Sequence, residues 1–420
     1  MSTTTPLPAA PDVLRPDFWV DLPAMHDTFR ALRRQGPVAR DEANGIWVVL
    51  GHPEVVEVER QNERFVSGQG YRSFFAPGED NMISLDDPRH HEQRALVSRR
   101  FTPRAVRGLE DYLRALIDDL VDGFLPGEAL EVVSQLAAPL PARLTAHLLG
   151  FDEDRWPEIQ TWSERLMRYD AALFDPDAQL GFIEAIAEFS PPLFDLFEAR
   201  RAAPADDLIS VWAHAELGGC PVGKETLVNE TGLVISGGAE TTRTVIARGL
   251  ATLADHPDQW EAMAQDPDLV PGAVEELIRW VTPLNNFFRV ATEDTELGDA
   301  RIAAGDRLML AYPSANRDER VFTDPDRFDI TRHPNPHVAF GFGTHFCLGA
   351  ALARLECKVM FEELLRRLPD LAIAPGAETP KRPSGFVCGH ESMPIVFSPT
   401  RPEGRMPDAP DPILRGDSAC

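Results

Sequence analysis

Cysteine is scarce in this chain and badly placed for cross-linking: there are five in 420 residues, at Cys220, Cys347, Cys357, Cys388 and Cys420. The number is odd and no two form a Cys-x-x-Cys pair, which argues against a disulfide framework, a structural zinc site or a thiolate-caged iron–sulfur cluster. Long apolar runs are missing too. No stretch approaches the roughly 20 residues that span a bilayer and no basic-then-apolar leader is seen, so a cytoplasmic setting is expected. Positive charge is in deficit, with 41 Lys and Arg against 67 Asp and Glu and a net charge of −26. That balance speaks against nucleic acid and anionic membrane as partners. No internal repeat is present.

What remains is an ordinary globular composition, 43% apolar and 26% charged, in a chain long enough to bury a large core. Residues 1–16 are rich in Thr, Pro and Ala, and residues 398–420 in Pro and charge; both read as flexible tails around one body at 17–397. Within that body the pattern is mostly helical with a smaller β-rich part, an α+β class. Pro-Val-Ala-Arg from Pro37 and Gly-Ile-Trp-Val-Val-Leu from Gly45 read as paired strands around Asn44-Gly45. A second strand-rich region runs from Val290 to Leu310 and is expected to return near Pro394-Ile395-Val396-Phe397. Early and late strands that must pair with one another predict an interwoven body.

Cys347 lies in Phe340-Gly341-Phe342-Gly343-Thr344-His345-Phe346-Cys347-Leu348-Gly349, just ahead of an amphipathic helix. The free N–H groups and positive dipole end of a helix start favour a thiolate. The glycines let the backbone approach something flat and bulky, and His345 offers a cation or a proton donor. One thiolate with such an approach suits a haem iron, the cofactor for which a single cysteine is enough. A second constellation sits inside a helix predicted over Gly223–His256, at Gly237-Gly238-Ala239-Glu240-Thr241-Thr242. Each glycine costs a helix about 1 kcal/mol against alanine. The missing side chains let a ligand lie on the backbone, and a local opening of the helix is expected. An acid and a hydroxyl beside that gap, Glu240 and Thr241, suit proton delivery to a bound oxygen. A third group is Glu276 and Arg279, three residues apart on a helix ended by Pro283.

The pattern Phe-x-x-Gly-x-His-x-Cys-x-Gly is the haem-binding signature of the cytochromes P450, and residues 340–349 resemble it at every fixed position. Residues 237–242 resemble the family's Gly-Gly-x-Glu/Asp-Thr-Thr groove. Glu276 and Arg279, with Arg327 in Asp324-Pro325-Asp326-Arg327-Phe328, resemble its Glu-x-x-Arg and downstream Arg triad. The likeness runs from about Arg34 to Ser398. It implies the cytochrome P450 fold, with haem b between the long central helix and the cysteine-loop helix and Cys347 as axial ligand of the iron. It further implies Glu240 and Thr241 as catalytic residues, and His90, Arg94, Arg289 and His345 as anchors for the haem propionates. Glu92 stands where many relatives carry Arg, so Arg94 is the stronger anchor on its helix and His91 competes with His90.

The implied activity is a monooxygenase that inserts one oxygen atom from O2 into a C–H bond of a small lipophilic substrate. No flavin or ferredoxin signature is present, so the implied partners are a ferredoxin and an NAD(P)H-dependent ferredoxin reductase, serving a monomer. Arg99, Arg100, Arg104 and Arg107, with Arg354 and Lys358, form the expected docking patch for an acidic ferredoxin. The expected pocket is lined by Phe74, Phe75, Met82, Ile83, Leu233, Val234, Leu284, Phe287, Phe386 and Val387, apolar throughout. Arg382 to Pro394, and Arg279-Trp280 followed by Asn286 and Arg289, resemble actinobacterial steroid side-chain (C26/C27) monooxygenases. The leading substrate is therefore a steroid or branched-lipid side chain, with fatty acids, terpenes and secondary metabolites as alternatives. A peroxide-driven peroxygenase and a haem-thiolate sensor are the rival classes; the Glu240-Thr241 pair counts against the first and the lack of a signalling segment against the second. Cys347→Ala is expected to abolish the absorption band that reduced, CO-bound thiolate haem gives, while Cys357→Ala keeps it.

Overall fold

The computed structural model describes residues 9–74, 78–125, 129–368 and 370–398. Its main sheet begins with the expected hairpin: β1 (Val38–Asp41) and β2 (Ile46–Val49) pair antiparallel, and the turn is closed by Gly45 at φ +64°. β2 then pairs parallel with β6 (Arg307–Ala311), which pairs antiparallel with β5 (Asn286–Ala291), and β3 (Phe65–Val66) closes the far edge. The run Ile-Trp-Val-Val has no polar alternation because this sheet is covered on both faces. Trp47 and Val49 pack with Val55 and Val58, whereas Ile46 and Val48 pack with Trp19 and Phe29. Early and late chain thus share one sheet, as expected.

Pro394–Val396 pairs elsewhere. As β8 it is the middle strand of a separate sheet between β7 (Ala372–Ile373) and β4 (Ala129–Glu131), not a partner of the 290–310 region. Nothing in the sequence marks the three residues of β4 as its partner. The flexible segment expected at 1–16 is packed where it is described: Ala9 bridges to Arg40, Val13 is buried, and the Val13 carbonyl accepts from the Trp19 indole at 2.9 Å. Residues 1–8 and 399–420 lie outside the described residues.

The helices that build the site are α1 (Arg89–Val97), α2 (Pro139–Leu149), α3 (Trp156–Met167), α4 (Lys224–Ala254), α5 (Val270–Val281) and α6 (Ala350–Arg367). α4 has 31 residues, about 46 Å at 1.5 Å per residue. From Thr242 to Leu250 every residue is buried, so the helix runs through the molecule rather than over it. The helix runs unbroken through Gly237-Gly238, and the expected local opening is not there. The two glycines do different things. A Cβ on Gly238 would meet Thr145 Oγ1 of α2 at 2.7 Å, whereas one on Gly237 would meet nothing within 4 Å. Gly238 lets two helices close; Gly237 leaves a gap. Among the described residues no helix is long and apolar enough to cross a membrane.

Glu276 and Arg279 of α5 are both fully buried and pair through two 2.7 Å contacts. The third member is not Arg327. That side chain is exposed, and Arg327 contributes only its carbonyl, which accepts from Arg332 at 2.8 Å. Arg332 is the residue that reaches Glu276, its Nε 3.1–3.2 Å from both oxygens. The five-residue offset follows from the turn at Asp324–Thr331, which points Arg327 to solvent and Arg332 inward. Asp329 N–H and Asn335 Nδ2 also donate to Glu276, at 3.0 and 3.2 Å. Next door, Glu275 holds His337 at 3.2 Å and Arg354 of α6 at 2.6 and 2.9 Å. Two consecutive carboxylates therefore straddle the loop that carries Cys347.

Arg279→Ala or Arg332→Ala should leave a buried carboxylate short of its partner and lower stability by about 3–5 kcal/mol. Arg327→Ala should stay within about 0.5 kcal/mol; urea unfolding followed by circular dichroism separates the two cases. Burial alone would raise the Glu275 pKa, but His337 and Arg354 outweigh it and hold it at about 2, against an ordinary 4.5. A depressed carboxylate stabilises the fold above its unfolded pKa, and that contribution is lost as pH falls through the folded one. The stability difference between wild type and Glu275→Gln should accordingly shrink between about pH 4.5 and pH 2 in acid-unfolding curves.

Candidate functional site

One cavity joins the cysteine loop, α4 and the main sheet. It encloses about 1700 Å³ of empty space, a figure that includes open solvent at its mouth. Cys347, Gly349, Leu352 and Ala353 line one side; Gly237, Gly238, Thr241 and Thr242 of α4 line another. Arg94, Arg289 and His345 reach it as well.

The cysteine loop is shaped by what lies behind it. Gly341 and Gly343 have φ +68° and +67°, and a Cβ on Gly343 would lie 2.3 Å from the Glu59 carbonyl oxygen. Both reasons demand glycine. A short turn at Gly343–His345 follows, and Cys347 N–H donates to the Phe340 carbonyl at 2.9 Å. Cys347 is half-buried, and α6 starts at Ala350, three residues on. The helix start does not win as the sequence led us to expect. Burial pushes the Cys347 thiol up, and the Gly349 N–H, Arg94 and Arg354 only oppose it. The sulfur needs a cation in the cavity to be held as thiolate.

Four donors gather beside the loop. His90, 3% exposed, binds Asp87 through Nδ1 at 3.1 Å, while its buried Nε2 has no hydrogen-bond partner among the described residues. His91 is exposed, so of the two histidines only His90 turns inward from α1. The His90 and His345 rings lie 4.4 Å apart, and His345 Nε2 is 3.2 Å from Ser67 Oγ. Burial first, then Arg289, His90 and Arg94, drive the His345 pKa down to about 2, so that ring is neutral. Arg94 reaches the Phe346 carbonyl at 2.5 Å. Arg289 has one carboxylate near it, Glu59 at 3.6 Å, whose own pKa burial raises to about 7. An unpaired buried imidazole nitrogen and two guanidinium groups that disfavour a neighbouring charge make a site short of an anion. A haem with its propionates fits it. Glu59, Ser67 and Asp87 belong to this cluster; no motif in the sequence announces them.

On α4 the acid and the alcohol part company. Thr241 lines the cavity, its hydroxyl donating to the Gly237 carbonyl at 2.9 Å. Glu240 does not. It is 3% exposed and turned into the protein, bound by Arg243 at 2.9 Å and Arg382 at 3.0 Å. Arg243 also binds Glu164 of α3 at 2.5 Å, and Arg382 comes within 3.9 Å of Glu391.

The apolar wall is largely the expected one: Met82, Ile83, Leu233, Val234, Leu284, Phe287 and Phe386 line the cavity. Val387 packs behind it with Met167 and Phe386, and Phe74 turns to Tyr169 with ring centroids 4.7 Å apart. Phe75 lies outside the described residues. The basic patch is thinner than its sequence. Arg354 is engaged by Glu275, Lys358 is within 3.6 Å of Glu110 and Glu362, and Arg100 pairs with Asp206. Arg99, Arg104 and Arg107 are exposed and have no acidic partner among the described residues.

Comparison with known proteins follows the same lines. A sequence profile described as cytochrome P450 matches residues 205–393. The steroid C26-monooxygenase of Mycolicibacterium smegmatis is 41% identical, over 93% of this chain and 97% of that protein. The methyl-branched lipid omega-hydroxylase of Mycobacterium tuberculosis is 35% identical, over 91% and 93%. A Mycobacterium marinum cytochrome P450 solved in complex with pseudoionone superposes with a TM-score of 0.85 at 32% identity, over 94% of this chain and all of that one. With a relative this similar along nearly its whole length, and with Cys347, a cavity-lining threonine and an anion-poor cluster of donors around one cavity, the chain belongs to the cytochrome P450 family.

Proposed function

We propose that this monooxygenase hydroxylates the end of a steroid or branched-lipid side chain, using haem b held by Cys347. The observation that carries the reading is the meeting of Cys347 and Thr241 on a cavity whose remaining wall is mostly apolar. The names of the steroid C26 and methyl-branched lipid relatives support the substrate class. His90, Arg94, Arg289 and His345 would hold the propionates, and no Cys-x-x-Cys-His is present for thioether attachment, which supports haem b. When bound, that group supplies O2 activation at a thiolate-ligated iron.

The chain's own contribution is positioning and protons. Thr241 Oγ1 can exchange its bond to the Gly237 carbonyl for one directed into the cavity, where Gly237 leaves room for a water or an oxygen. Glu240 is the inner end of a charged series, Glu240–Arg382–Glu391–Arg168, whose last two members are about half exposed. Proton supply to Thr241 requires Glu240 to leave Arg243 or Arg382 for part of the cycle. The apolar wall keeps bulk water from the substrate. Electrons are taken to come from a ferredoxin and its NAD(P)H-dependent reductase in the cytoplasm, docking at the exposed Arg99, Arg104 and Arg107.

Thr241→Ala removes a hydroxyl and little volume. Substrate-induced shifts of the Soret band should persist with Kd within about twofold, while product per NAD(P)H falls about tenfold and hydrogen peroxide rises in its place. Retained coupling, or lost substrate binding at unchanged coupling, overturns the proton role.

A further inference from the structure

Arg72 is a charged side chain of the cavity wall that neither the thiolate site nor the propionate cluster uses. Arg72 follows β3, is 7% exposed, and lines the same cavity as Thr241 and Cys347. Its Nε donates to the Tyr71 hydroxyl at 2.9 Å and to Glu79 Oε1 at 3.1 Å, and the Tyr71 hydroxyl donates to the same Glu79 oxygen at 3.0 Å. The guanidinium carbon lies 5.0 Å from the centre of the Tyr71 ring and 5.5 Å from that of Phe386. Arg307 of β6 clamps the segment, donating to the Arg72 and Ser73 carbonyls at 2.5 and 2.9 Å. The group is therefore held on its Nε edge, above and along the backbone. Its buried Nη1 has no hydrogen-bond partner among the described residues.

A rigidly placed, unsatisfied N–H donor on a residue that lines an apolar cavity is costly unless a ligand completes it. We propose that Arg72 determines specificity by donating from Nη1 to a neutral oxygen, a ketone or hydroxyl, carried by the lipophilic substrate away from the carbon that is oxidised. The inference rests on the lipophilic-substrate reading above and narrows it to substrates with a polar end. A neutral acceptor suits the site better than a carboxylate for two reasons. Glu79 already faces Arg72, and buried Asp170 acts on both Arg72 and Arg307, so two cations meet two acids. Only one terminal nitrogen is shown to be unsatisfied, whereas a carboxylate takes best to a two-nitrogen fork.

The test uses the haem-loaded protein and three ligands of matched carbon skeleton: a steroid ketone with an intact alkyl side chain, the deoxygenated hydrocarbon, and a terminal carboxylate at the ketone position. Affinities are read from the Soret shift and, independently, by calorimetry. The ketone should bind at least about tenfold more tightly than the hydrocarbon in the wild type. Arg72→Met/Glu79→Gln removes the donor without leaving the Glu79 charge buried, and should bring that ratio near one with the hydrocarbon affinity unchanged. The wild-type ratio needs no variant, so it decides even where a substitution impairs folding. Equal binding of ketone and hydrocarbon to the wild type overturns the anchor alone, as does a ratio that survives in the double variant. Tightest binding of the carboxylate replaces it with an anion site. If none of the three binds to protein that shows the thiolate-haem band, the lipophilic-substrate reading itself falls and the anchor with it.

Discussion

The carboxylate of Glu276 is wholly removed from water, and that is tolerable only because every lone-pair direction is answered. Arg279 and Arg332 supply the charge; the Asp329 N–H and the Asn335 amide fill what remains. These donors come from chain far from α5, so satisfying one buried acid fixes the path of residues 325–335. Arg279 extends the reach by donating to the Asn316 carbonyl at 2.8 Å, and Asn316 in turn receives the Val338 N–H at 2.7 Å. The backbone enters the cysteine loop already aimed. Glu275 closes the other side through Arg354. The position of Cys347 is thus a consequence of two adjacent acids on a helix it does not belong to.

Around the thiol the protein's own electrostatics are incomplete by design of the sequence. Burial makes the thiolate unfavourable, and the cluster of His90, Arg94, Arg289 and His345 is deficient in negative charge. The two deficits are opposite in sign: a cation would hold the sulfur as thiolate, and anionic groups would satisfy the donors. Each alone would be a local strain on stability. Together they define a group that is cationic at its centre and anionic at its edge.

The central helix resolves a conflict between packing and access. Gly238 allows α2 to approach to a distance no side chain would permit, while its neighbour Gly237 faces the cavity and stays open. Keeping the ladder continuous leaves the helix rigid, so access for a small ligand comes from a missing side chain rather than a broken backbone. The same rigidity sends residue 240 to the face opposite the cavity, where two arginines hold it. An acid there is a reserve at one remove from the chemistry.

Much of the fold was legible in the sequence because it depends on local pattern. Turn residues set the hairpin at Asn44-Gly45, apolar runs without alternation marked strands buried on both faces, and glycine spacing marked the loop and the helix gap. The motifs also named the thiol, the threonine and most of the donors. What the sequence left open was decided by long-range contact. Which arginine reaches Glu276, whether His90 or His91 turns inward, which strand accepts Pro394–Val396, and that Arg354 is bound rather than free all depend on the direction a side chain takes after the chain has turned. Arg327 and Arg332 are five residues apart with the same chemistry; only the turn between them tells solvent from core. Glu59, Ser67 and Arg72 had no signal at all, since a residue becomes part of a site only when folding brings it there and strips its water.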